Sequence, residues 1–123
     1  MPFRSLALLS AFICAVLCLG LLSAPGLFAD IFGLGPSVAG EVMARRAGVL
    51  FAPLALILWT IRDLPNETLR REFASAVLVM MAGLAVLGTA EWAAGRVGPG
   101  IFLAVGIETV LAVLYALALR RGH

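Results

Sequence analysis

Four long apolar runs decide most of what this chain can fold into. They cover about Leu6–Phe28, Glu41–Ile61, Phe73–Ala94 and Pro99–Leu119. A helix rising 1.5 Å per residue needs roughly 20 residues to cross a hydrocarbon layer of about 30 Å. Backbone in lipid must satisfy its own hydrogen bonds, so only helices and closed barrels span a membrane. These runs are too long for barrel strands and do not alternate apolar with polar. The expected fold is all-α, a four-transmembrane-helix bundle, in a single integral membrane domain over residues 1–123.

Composition points the same way. Hydrophobic residues make up 63% of the chain, charged residues only 13%, and mean hydropathy is +1.09. A short soluble domain exposes too much of its surface to hide that apolar fraction, so the lipid bilayer is the expected surrounding. The net charge of +2 comes from scattered Arg residues, with no Lys at all. Nucleic-acid binding needs a clustered basic face, and none is legible here. The pairs Arg45-Arg46, Arg70-Arg71 and Arg120-Arg121 instead each adjoin an apolar run, the usual place for membrane-flanking charge.

The first run is read as a retained helix. It exceeds the h-region of a signal peptide, and "APGLFAD" lacks a small-x-small cleavage pattern. Pro25 and Gly26 are expected to loosen its last turn, and Pro53 to kink the second helix. In the 62–72 connection Asp63 is the expected N-cap, with Glu67 adding favourable charge near the helix start. Pro99 suits the first turn of the fourth helix. Arg4, Arg62, Arg70, Arg71, Arg120 and Arg121 share one side of this topology, and Arg45, Arg46 and Arg96 the other, six against three. The excess places both termini in the cytoplasm of a bacterial inner-membrane protein.

Glu108 is the residue with the most to explain. The stretch "AVGIETVLAV" sets this one acid in a run free of other charge from Pro99 to Leu119. Steps of four along the helix read Gly100, Ala104, Glu108, Ala112 and Ala116, all small except the acid. Small residues line contacts between membrane helices, so Glu108 is expected to face the bundle interior. The larger Ile101, Phe102, Leu103, Leu111, Leu114 and Leu117 are expected mostly elsewhere. A charge at the centre of a spanning helix costs roughly 2.5–3.5 kcal/mol on insertion scales. An Arg partner would offset that, Arg46 first and Arg45 second, since both helices start on the same side. Glu41 can pair with Arg45 at i,i+4, and Glu91 is a rival partner. The expected intramembrane polar cluster is therefore Glu108, Arg46, Arg45, Glu91 and Glu41. A buried Arg–Glu pair is often a packing device without chemistry. Intramembrane acids are functional candidates by default, as in proton relays and transport sites.

Other residues support plainer readings. Cys14 and Cys18, one helical turn apart, are packing residues rather than a disulfide or metal pair. Trp59, Trp92 and Tyr115 sit near helix ends, where amphipathic rings favour the interface. His123 is read as solvated. No GxSxG, GK[ST], HExxH or CxxC motif occurs, so no catalytic residues, cofactor or metal are implied and enzymatic activity is not the leading expectation.

Residues 24–65, "APGLFADIFGLGPSVAGEVMARRAGVLFAPLALILWTIRDLP", carry a resemblance. A first helix ends in Pro25, a short loop holds Phe32 and Gly33, and a helix opens with Glu41, Arg45, Arg46 and Gly48. This resembles small four-helix bacterial membrane proteins of unknown function, similar in layout to the DoxX-like group. The resemblance implies the four-helix layout and no assigned chemistry. Three functional expectations follow. The first is a structural or accessory subunit, as a homo-oligomer or with another membrane protein. The second is a small proton-coupled transporter using Glu108. The third is a membrane enzyme or lipid head-group-binding module.

Overall fold

The computed structural model describes residues 2–120; the expectations for Arg121 and His123 fall outside the described residues. Helix α1 spans Phe3–Ser23 and helix α2 Pro25–Ile31. The first helix therefore stops at Ser23 rather than continuing to Phe28. Proline has no N–H to extend the ladder and pushes the residue before it out of the helical region. Ala24 accordingly sits at φ −141°, ψ 59°. Helix α2 then folds back, bringing the Phe28 ring to 2.8 Å from where a Cβ on Gly20 would lie.

Helix α3 spans Val38–Thr60, with Ser37 as N-cap accepting a hydrogen bond from the Gly40 N–H at 3.1 Å. Pro53 lies on its exposed face, and the helix runs on through it. A single 3₁₀ turn, Ile61–Asp63, follows. Helix α4 spans Glu67–Ala93, beginning well before the expected Phe73. Its N-cap is Asn66, whose side chain accepts from the Leu69 N–H at 3.0 Å, and not Asp63. Asp63 is taken up by ion pairs with Arg4 and Arg62. Glu67 does occupy the favourable first turn. The polar stretch after it continues the helix beyond the apolar run, because hydropathy marks the lipid boundary and capping marks the helix boundary. Helix α5 spans Ile101–Arg120.

Packing proceeds in two hairpins, α1 with α3 and α4 with α5, which meet through α1 and α5. Glycines set the closest approaches. A Cβ on Gly48 would lie 2.9 Å from Leu21 Cβ, and one on Gly88 would lie 2.8 Å from Val105 Cγ2. Without a hydrophobic force between helices in lipid, such close packing is what holds them together.

The densest packing is at the end holding both termini. Phe3, Leu6, Cys14, Leu58, Ile61, Ala74 and Tyr115 are buried there. The Tyr115 hydroxyl shares a 2.8 Å hydrogen bond with Ser10 Oγ and also donates to the Leu6 carbonyl at 3.3 Å. Tyr115 was expected at an interface; it is instead wholly buried, because it falls on the inward stripe of α5 and Ser10 satisfies its hydroxyl. At the opposite end the Gly98 N–H donates to the Phe32 carbonyl at 2.7 Å, tying the 95–100 turn to α2. Large apolar side chains such as Phe12, Leu19, Val79, Val86 and Leu103 cover the outside. Four helices are long and apolar enough to cross a membrane, so this is an all-α, multi-pass membrane protein whose outer surface faces lipid.

Candidate functional site

The inward stripe of α5 runs Ala104, Glu108, Leu111, Tyr115 and Ala118. Glu108 does face the interior, as expected, and is half-buried. Its companions differ from expectation. A four-residue step overshoots the 3.6-residue turn by about 40°, so the stripe of steps of four drifts off the contact face. Leu111, expected elsewhere, is only 1% exposed. Phe102 and Leu103 do point outward.

The expected polar cluster does not assemble. Among the described residues no Arg nitrogen lies within 4.0 Å of the Glu108 carboxylate, and the carboxylate has no hydrogen-bond partner. Arg46 and Arg45 are both exposed. The reason lies in α3. Its inward face runs through Ala44, Gly48 and Phe51 toward α1, as the Gly48 contact with Leu21 shows. The two arginines are turned away from that face by the helical period, and α3 packs on α1 rather than on α5. Glu41 does not pair with Arg45; it lies half-buried beneath α2, its Oε1 3.9 Å from where a Cβ on Gly26 would be. Glu91 is held locally by Arg96 at 3.3 Å. The expectation of a shared cluster rested on position along the helices, and the directions in which these side chains leave their helices differ.

What Glu108 does line is a cavity of about 210 Å³ between the two hairpins. Aliphatic side chains of α1, α4 and α5 form most of the wall, and Phe28, Phe32 and Phe51 supply three rings. Phe28 and Phe32 stand edge to face, with centroids 6.2 Å apart. Among the described residues Glu108 is the only ionisable side chain in that wall. Toward the termini the cavity ends on Leu111 and Met81, which belong to the packed core. Toward the other end it is roofed by α2, which the break at Ala24 turns over it.

The three rings were invisible as site residues in the sequence. Phe28 and Phe32 stand four apart and so share a face, but only the reversal at Ala24–Pro25 brings that face over Glu108. Of the residues carrying the resemblance, Pro25 begins α2, Phe32 and Gly33 close it, and Gly48 seats α3 on α1. Cys14 is buried and Cys18 half-buried, both as free thiols. Trp59 and Trp92 are about half exposed near helix ends, with the Arg62 guanidinium 4.0 Å from the Trp59 ring. Comparison with family models, with curated proteins and with solved structures found no match, so the site is read from its own residues.

Proposed function

We propose that this chain is a small proton-coupled membrane carrier, with Glu108 as the group that takes up and releases the proton. The observation that carries the reading is an unpaired carboxyl group opening on an apolar, aromatic-lined cavity about a third of the way along a spanning helix. Glu108 lies roughly 10 Å from the start of α5, itself about 30 Å long. A lone carboxylate charge at that depth is costly. Such a group holds a proton or meets a cation, and the exchange of one for the other is the elementary step of coupled transport. A purely architectural role for Glu108 rested on an Arg partner, which is not beside it.

Toward the termini the packed core closes the cavity, so one copy in this conformation offers no path through the membrane. A homo-oligomer or a second conformation supplies the other half. The Arg excess orients both termini to the cytoplasm of a bacterial inner membrane. A C-terminal alkaline phosphatase fusion is therefore expected to be inactive, and an active one would reverse the orientation.

The carrier reading is tested with dicyclohexylcarbodiimide, an apolar reagent that modifies protonated carboxyl groups in membranes. Glu108 is expected to acquire an N-acylurea adduct, located by mass spectrometry of the intact folded protein. Glu108→Gln is expected to change stability by less than about 1 kcal/mol. Removing half of a buried ion pair would instead cost about 3–5 kcal/mol. An unlabelled Glu108, or a large loss of stability on Glu108→Gln, would return the residue to a structural role.

A head-group-binding module is the second reading, favoured by Arg45 and Arg46, which face outward near one end of α3. Its mark would be bound lipid in native mass spectra that disappears on Arg46→Ala.

A further inference from the structure

We infer that the cavity between the hairpins binds a small lipophilic organic cation, a substituted ammonium, with its charge on Glu108 and its apolar groups against Phe28, Phe32 and Phe51. This rests on the carrier reading and names the class of its substrate.

The wall chemistry selects among possible occupants. An anion is disfavoured, because the single charge available in the wall is a carboxylate. A neutral hydrocarbon would give the cavity no use for Glu108. A small hard cation such as Na⁺ or Ca²⁺ needs several oxygen ligands, and the wall offers one carboxyl group among aliphatic and aromatic carbon. A substituted ammonium needs no such shell. Its charge is spread over carbon-bound hydrogens, its hydration is weak, and aromatic faces attract it within about 6 Å of a ring centroid. Phe28 and Phe32 put two rings, set edge to face, into the wall, and Phe51 adds a third from α3. At about 210 Å³ the cavity lies below the roughly 300–1,000 Å³ of drug-sized sites. The occupant is therefore a small amine or quaternary ammonium.

Competition follows from the same geometry. Among the described residues α1, α2, α3 and α4 contribute no titratable side chain to the wall, and α5 contributes only Glu108. A proton and the organic cation must therefore exclude each other at one carboxyl group. Binding should weaken as the pH falls and Glu108 takes up its proton.

The test uses the full chain in lipid nanodiscs, with benzyltrimethylammonium as probe and its uncharged isostere neopentylbenzene as control. Benzyltrimethylammonium is expected to bind saturably and to protect Glu108 from dicyclohexylcarbodiimide, while neopentylbenzene does neither. Glu108→Gln should weaken binding at least about tenfold, and Phe51→Leu, which keeps the carboxyl group, by about three- to fivefold, within the range of lost cation–π contacts. Protection by the neutral isostere equal to that by the cation would overturn the inference, as would unchanged affinity in both variants. Labelling of Glu108 without protection by the cation would overturn the substrate class and leave the carrier reading in place. Absence of any adduct would remove the carrier reading and this inference together.

Discussion

Replacing Tyr115 with Ala is expected to destabilise the protein by about 3–5 kcal/mol, the range for emptying an aromatic site in a packed core. Tyr115 is wholly buried and joins the two hairpins where α1 meets α5. In lipid the loss is one of packing rather than of apolar transfer from water, because the surrounding tails are as apolar as the core. Tyr115→Phe should be far milder, about 0.5–1.5 kcal/mol, in line with measured interhelical hydrogen bonds in membranes. It removes the 2.8 Å bond to Ser10 and the 3.3 Å bond to the Leu6 carbonyl. Ser10 then has a ready substitute: it stands four residues after Leu6 on the same helix, and a Ser hydroxyl can bond back to that carbonyl. Denaturation in mixed micelles, followed by Trp fluorescence, measures both. Equal losses for the two variants would mean that the hydroxyl network, not the ring, holds the hairpins together.

Gly100→Ala is expected to cost about 3 kcal/mol, at the upper end for overpacking, and to detach α2 from the start of α5. A Cβ at Gly100 would lie 1.7 Å from the Ile31 carbonyl oxygen and 2.8 Å from its carbon. Both are backbone atoms, so no side-chain rotation relieves the clash. Gly33→Ala should act in the same place for two reasons. Gly33 has φ +71°, and its Cβ would stand 2.7 Å from the Gly98 backbone. Gly106→Ala serves as the internal control. It lies on the same helix as the site, one turn before Val110, and nothing lies within 4 Å of its added methyl. It should be neutral or slightly stabilising, since Ala exceeds Gly in helix propensity. Because α2 lies over the cavity, Gly100→Ala should also speed the reaction of Glu108 with aqueous carbodiimides relative to the wild type. A Gly100→Ala protein as stable as Gly106→Ala would show that the joint between the hairpins at this end carries no weight.

Much of the architecture was open to reading from the chain. Hydropathy runs of roughly 20 residues follow from bilayer thickness alone, and the four spanning helices appear where the runs predicted them. The inward direction of Glu108 was equally local, since small neighbours on one helix face mark a contact face wherever that helix docks. Helix ends were less accessible. Asn66 starts α4 before the apolar run begins, and Pro25 ends α1 before its run is finished. Caps and prolines act on backbone hydrogen bonds, whereas hydropathy reports only the surrounding solvent.

Partnership was beyond the sequence. Arg46 and Glu108 were paired on position along their helices, a one-dimensional property that the chain encodes directly. Whether they meet depends on the rotation of α3 about its axis and on which helix stands between. Gly48 against Leu21 fixes the face that α3 turns to α1, and α3 packs on α1 rather than on α5. Tyr115 illustrates the same limit from the other side. Its position near a helix end pointed to the interface, but Ser10, 105 residues earlier, draws it into the core. The amino-acid sequence by itself determined four helices long and apolar enough to cross a membrane, with an acid on the inward face of the last. Only the tertiary packing, through helix rotations set by a few glycines and one proline, decided that the acid faces three phenylalanine rings and a cavity instead of an arginine.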